Sequence, residues 1–315
     1  MLKFDRRLLN GEAKKYNFVA NTYEKVIRLT EILNFIQNTP VLHDNLALKG
    51  GTAINLTVYN LPRLSVDIDL DFTKNLNREE MLKMREVITN TLLGYMIKNG
   101  YHLDPHSRQH HALDGFKFNY INAAGGNDVI KIEINYMLRC HIFEPVTVKN
   151  KELGLIKSIN ITTLNPYEIF GSKLVALMTR STPRDLYDFY NLFKYNIFSK
   201  EELLMIKKCA IYYRAISNED GDFDFDISNI KTISQRDIKR FLYPVIRSNE
   251  KFILDEAINV VIEKFSEYFV LNDNETMFLE NFKNKKYTPE LLFDDVKIVA
   301  TIANHPMAFW KTTKY

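Results

Sequence analysis

The chain has 315 residues, enough for two domains and a sizeable core. Its composition is that of a globular protein: 46% hydrophobic, 26% charged, and low in Gly and Pro, which argues against disorder. The net charge of +3 and pI near 8.5 permit a nucleic-acid partner without implying one. The two cysteines, Cys140 and Cys209, exclude a disulfide framework and a Cys-based zinc site, and fit a reducing compartment. The N-terminus has no apolar signal core, and no run reaches the roughly 18 apolar residues of a membrane span. The expectation is a soluble, cytoplasmic protein with no membrane partner.

In chain order, helical spacing of Val19, Tyr23, Val26, Ile27, Leu33 and Ile36 predicts one helix over residues 12–37, ended by Pro40. "LALKGGTAINL" follows: a short apolar approach, a Gly pair, and an apolar run suited to a helix. "LPRLSVDIDLDF" then alternates, so that Ser65, Asp67, Asp69 and Asp71 share one face against Val66, Ile68, Leu70 and Phe72. Residues 78–99 read as a helix. "GFKFNYI" and "DVIKIEINYML" read as two strands joined through "NAAGGN". From about residue 160, helical periodicity dominates. The plan is an α+β fold: a mixed-sheet domain with flanking helices, residues 1–160, then an α-helical C-terminal domain, residues 161–315.

Three like charges on one strand face repel, and the arrangement costs free energy unless something positive sits there. Residues i and i+2 of a strand stand roughly 6.6 Å apart. Asp67 and Asp69 are thus placed to converge on one hard cation or two, and magnesium takes oxygen ligands while keeping positions for water and phosphate. The plain alternative is a solvated strand face. "GDFDFDISN" repeats the spacing with Asp222, Asp224 and Asp226, but no Gly-rich turn leads into it, and it reads as an exposed acidic loop. The first motif differs because Lys49, Gly50, Gly51 and Thr52 precede it. Their backbone N–H groups, at a helix start, suit a triphosphate, although a Gly pair also makes an ordinary turn.

These residues together resemble the polymerase-β-type nucleotidyltransferases, and more narrowly the AbiEii/AbiGii toxin family. That family's pattern is GGT followed by R-x-S-x-D-x-D, matched by Arg63, Ser65, Asp67 and Asp69. The interval from turn to aspartates is slightly longer than in many members of the superfamily. The resemblance implies a third carboxylate on a later strand, for which Glu133 in "KIEINY" is the candidate; the plain reading is a polar face carrying a Lys131–Glu133 pattern. It also implies a lysine on one helix and an R-x-x-x-R-D-x-x-D approach to the next. Here these are Lys173, Arg180, Arg184, Asp185 and Asp188. Lys173 would then contact the triphosphate, with Arg184 beside it, and Asp185 would serve as a catalytic carboxylate. The competing reading makes Thr182 an N-cap, Pro183 the first helical residue, Asp185 its third, and Arg184–Asp188 a surface pair.

The implied activity is a Mg2+-dependent transfer of NMP from an NTP to an acceptor hydroxyl. The implied setting is a toxin–antitoxin or phage-defence system, with a cognate antitoxin and tRNA or another RNA as acceptor. A phosphotransferase acting on a protein hydroxyl and a non-enzymatic binding module remain open. His102, His106, His110 and His111 read as an exposed segment rather than a zinc site, and the aromatics Tyr187, Phe189, Tyr190, Phe193 and Tyr195 as core packing.

Overall fold

The computed structural model describes residues 4–217 and 223–313. The chain divides into two compact units. Unit 1 holds residues 1–139, 145–164 and 244–249, and unit 2 holds 140–144, 165–243 and 250–315.

Unit 1 contains helices α1 (Arg6–Lys15), α2 (Ala20–Gln37), α3 (Pro40–His43), α4 (Gly50–Ala53) and α5 (Arg78–Lys98). Its strands are β1 (Leu46–Lys49), β2 (Asp67–Phe72), β3 (His102–Leu103), β4 (Arg108–Gln109), β5 (Leu113–Ile121), β6 (Asn127–Asn135), β7 (Val146–Lys149) and β8 (Asn160–Thr163). Among the described residues they form one eight-stranded mixed sheet in the order β3-β5-β6-β2-β1-β8-β7, with β4 also on β5. β2 runs parallel to β6 and antiparallel to β1, so the acidic strand is central. Its apolar residues Ile68, Leu70 and Phe72 are buried with Ile130, Ile132 and Ile134 of β6 and Leu46 and Leu48 of β1.

The mixed sheet with flanking helices is the fold class expected. Three details differ from the sequence reading. The single helix of residues 12–37 is two helices: Asn17 takes a left-handed backbone (φ 61°), which Asn tolerates better than most residues and which cannot continue a helix. The four-residue strands β7 and β8 are too short for alternation to reveal them. The histidine segment is exposed as expected, but it carries the two-residue strands β3 and β4 rather than an unpaired loop. The β5–β6 hairpin closes through Asn122, whose side-chain oxygen accepts from Ala124 and Gly126 N–H groups.

Unit 2 is helical: α6 (Pro166–Arg180), α7 (Pro183–Lys194), α8 (Lys200–Ser217), α9 (Gln235–Asp237), α10 (Leu254–Tyr268), α11 (Asp273–Lys283), α12 (Val296–Ile302) and α13 (Pro306–Thr313). Tyr187, Phe189 and Tyr190 are buried as expected. Tyr195, at the C-cap of α7, is 60% exposed, because the helix has ended and its face no longer packs. Of the second acidic motif, Asp224 and Asp226 are exposed and lie outside any strand, while Asp222 falls outside the described residues. No described helix is long and apolar enough to cross a membrane.

α6 and α8 touch at Gly171. A Cβ there would stand 2.5 Å from Cys209 Cβ and 2.9 Å from the Ala210 nitrogen. The obstruction includes backbone, which cannot rotate away as a side chain does. Gly171→Ala therefore destabilises the protein by about 1–3 kcal/mol, read as a lower urea midpoint with unchanged slope.

Candidate active site

β1 delivers the chain into the glycine turn, and β2 returns beside it. Gly50 has φ +68°, a conformation that L side chains rarely adopt, and a Cβ on it would lie 2.6 Å from Asp69 Oδ2. Backbone and carboxylate thus approach as only glycine allows. Gly51 is equally close to the residues before β2: its Cβ would meet Arg63 Nη2 at 3.0 Å and Ser65 Oγ at 3.2 Å. The Thr52 hydroxyl donates to the Asp67 carbonyl, tying turn to strand, and Asn55 Nδ2 donates to Gly51 O at 2.8 Å.

One sheet face collects the charges. In register, Lys49 lies opposite Asp69, while Asp67, Asp69 and Asp71 pair with Lys131, Glu133 and Asn135. Lys49 Nζ is 2.5 Å from the buried Asp71, and Lys131 Nζ is 2.6 Å from Glu133. Gly115 of β5 stands opposite Glu133 and adds no side chain to the face. Two lysines therefore meet four carboxylates, and among the described residues neither the Asp67 nor the Asp69 side chain has an ion-pair partner. Burial and then the charge of Asp67 push Asp69 up to about 6. Lys49 pulls the other way, Glu133 adds to the rise, and Lys131 opposes it.

The sequence-predicted residues Lys49, Gly50, Gly51, Thr52, Arg63, Ser65, Asp67, Asp69 and Glu133 thus come together in unit 1. Their roles are unequal. Arg63 is 1% exposed and donates from Nη1 to Leu64 O at 3.1 Å, so it braces the turn from inside the protein. Among the described residues, no three His, Cys, Asp or Glu side chains form a set that holds a metal ion. The donor chemistry nevertheless fits a hard cation. Asp67 and Asp69 offer oxygen ligands that, among the described residues, have no ion-pair partner, and burial first and then Asp67 raise the proton affinity of Asp69; such a pair suits a cation that keeps water and phosphate in its shell.

Unit 2 carries the other predicted residues. Lys173 on α6 bridges two carboxylates of α7, Asp185 at 2.7 Å and Asp188 at 2.9 Å, all three side chains being nearly or fully buried. Arg180 grips Asp185 with Nε at 2.9 Å and Nη2 at 3.2 Å. The corner between the helices has its local causes. Ser181 is left-handed (φ 43°), Thr182 caps α7 by accepting from the Asp185 N–H, and Pro183 stands at the first helical position. Burial works to raise Asp185, but Lys173 and Arg180 outweigh it and hold the carboxyl well below its usual range. Asp188 is thus committed to Lys173 rather than to a surface pair with Arg184, which is half-buried. Sequence reasoning undervalued Lys131 and Asp71. Alternation put both on the acidic face, and that was the signal for a counterion role.

The family model described as "Nucleotidyl transferase AbiEii toxin, Type IV TA system" matches residues 35–270, well over half of the chain. The chain belongs to the AbiEii nucleotidyltransferase toxin family. This membership implies an NTP substrate and an antitoxin partner. Among solved structures, the chain is similar to MenT4, nucleotidyltransferase toxin Rv2826c from Mycobacterium tuberculosis H37Rv. The likeness has a TM-score of 0.65 at 13% identity, over 96% of this chain and 99% of that one, and shows a shared fold. No curated protein matches the chain.

Two predictions follow from these charges. Asp69 has a folded-state pKa above its unfolded value, so between about 4 and 6 the native state binds a proton that the unfolded chain lacks. The charged form penalises folding above that window, and the penalty fades as pH falls through it. Without divalent cations, Asp69→Asn raises the melting temperature at pH 8 and loses that gain near pH 4. Asp185 is the reverse case: its stabilisation is complete above the ordinary carboxylate pKa and is lost only in strong acid. At pH 7, Asp185→Asn costs about 1.5–3 kcal/mol, since Lys173 keeps Asp188 but loses one buried charge-assisted hydrogen bond. Urea unfolding measures it.

Proposed function

We propose that this toxin binds an NTP over Gly50–Thr52 and transfers NMP to an acceptor hydroxyl in a Mg2+-dependent reaction, with RNA, in particular the 3′ end of tRNA, as acceptor. The observation that carries the chemistry is the surplus of carboxylates over lysines beside the glycine turn. The resemblance of the motifs carries the acceptor.

Asp67 and Asp69 would hold magnesium, which when bound supplies positive charge against the phosphates and the leaving pyrophosphate. Glu133 is held by Lys131 and joins the set only when that lysine turns to another anion, for which a phosphate is suited. The amides of the Gly50–Thr52 turn, backed by buried Arg63 and by Ser65, bind the β- and γ-phosphates and fix the α-phosphorus relative to β2. The acceptor oxygen forms a bond to the α-phosphorus, and its proton passes to a carboxylate of the acidic face. The bond from that phosphorus to the bridging oxygen breaks, and pyrophosphate leaves with the electron pair. Rate comes mainly from orientation and from charges set in place before reaction.

Lys173, Arg184 and Asp185 enter the proposal through the resemblance, Lys173 as a triphosphate contact and Asp185 as a carboxylate of the reaction. Their pairing favours a role in stiffening the α6–α7 corner as well. The two roles separate by measurement, since a structural role alone lowers stability without changing the activity of the molecules still folded.

The test supplies each α-labelled NTP with total RNA and magnesium. Label enters RNA, pyrophosphate appears in equal amount, and Asp67→Ala lowers the rate at least about a hundredfold. A parallel arm with γ-labelled NTP in which label passes to protein, with release of NDP and no α-label in RNA, would sink the proposal.

A further inference from the structure

Residues 244–249 lie between two stretches of unit 2 in sequence, yet they fold as part of unit 1. They form a strap across the segment that leads from the glycine helix into β2. The Leu64 N–H donates to Val245 O at 2.7 Å, and Arg63 and Ile246 form an antiparallel bridge. The strap is anchored at both ends. Thr22 Oγ1 donates to Pro244 O at 3.1 Å, and the Ser248 N–H donates to Asn17 O at 2.7 Å.

Arg247 is the side chain that connects these parts. Its Nη1 donates to Tyr16 O at 2.8 Å, its Nη2 donates to Leu61 O at 3.3 Å, and its guanidinium lies 4.6 Å from the centre of the Phe18 ring. What it holds is a strained stretch. Asn60 and Leu61 are both left-handed (φ 56° and 62°), and Leu61 is buried at 2% exposure. A left-handed leucine is unfavourable by itself and persists where its surroundings impose it. The sharp reversal at 60–61 sets the direction in which residues 62–65 run, and so the place where Arg63 and Ser65 meet the Gly51 backbone.

We propose that Arg247 is a positioning residue for nucleotide binding: by bonding to Leu61 O it maintains the reversal that keeps Arg63 and Ser65 behind the glycine turn. Arg247 itself does not touch the nucleotide. This rests on the reading of that turn as the triphosphate cradle. A loosened reversal lets the cradle's support drift, which weakens NTP binding, while the carboxylates of β2, held by the sheet on both sides, keep their register. The consequence is a rise in KM with little change in kcat.

The experiment measures steady-state NTP kinetics and melting temperature for the full-length wild type, Arg247→Ala, Arg247→Lys and, as a stability control, Gly171→Ala. Arg247→Ala raises KM for NTP about fivefold to tenfold, the size of the net contribution of one ordinary hydrogen bond, with kcat within about threefold of wild type. Arg247→Lys, which reaches one carbonyl but not both, falls between. Gly171→Ala loses stability without a change in KM. An unchanged KM in Arg247→Ala, or an equal rise in Gly171→Ala, overturns the inference. Should Arg247→Ala fail to fold, Arg247→Lys carries the test by the same KM criterion. Absence of NMP transfer by the wild type, by contrast, rejects the underlying reading of the cradle.

Discussion

Gly50 takes a left-handed φ of +68° that L side chains rarely adopt, and this conformation sets the glycine turn against the Asp69 side chain. It brings the amides of a turn, which attract anions, against a strand whose carboxylates attract cations. Each half needs the other in a specific register. β1 and β2 provide it, because antiparallel pairing puts Lys49 opposite Asp69 on the same face as the acidic row. Lys49 then neutralises Asp71, the innermost of the three aspartates, and among the described residues the two remaining carboxylates have no ion-pair partner. A protein under pressure only for stability would not leave them so, since the cost is visible in the raised affinity of Asp69 for a proton.

Unit 2 treats charge in the opposite way. Lys173 pairs with Asp185 and Asp188 in a buried set that the more exposed Arg180 joins at Asp185, and Asp185 is held ionised far into acid. Paired charges of this type fix the angle of a helix corner and resist small changes of pH. The contrast separates two uses of carboxylates: ones stabilised by their surroundings and ones left to be stabilised by a ligand. Sequence spacing alone does not distinguish them, since both groups are Asp residues two or three positions apart near basic residues.

Much of the acidic face was legible before any fold was known. Period-two alternation fixed which side of β2 and of β6 carried Asp67, Asp69, Asp71, Lys131 and Glu133, and the glycine pair announced the turn. The helices α5 to α8 and α10 followed from their apolar spacing and caps. What could not be read was non-local. Nothing in "PVIRSN" marks a segment that leaves a helical stretch to bridge a loop some 180 residues earlier. The partners of Lys173 depended on the angle between α6 and α7, and the counterion of Asp71 on a strand register. The short strands β7 and β8 lacked the length for a pattern, and the break at Asn17 rested on one backbone angle.

The strap also orders events in time. The polypeptide enters the sheet unit on three separate passes, the last of them at residues 244–249. A ribosome that has made the glycine turn and every acidic residue of β2 and β6 still has more than a hundred residues to add before Arg247 emerges. Nascent chains, and fragments that stop short of that point, carry the carboxylates without the brace on Leu61. The bond that holds the reversal at Leu61 is therefore among the last parts of the sheet unit to be completed.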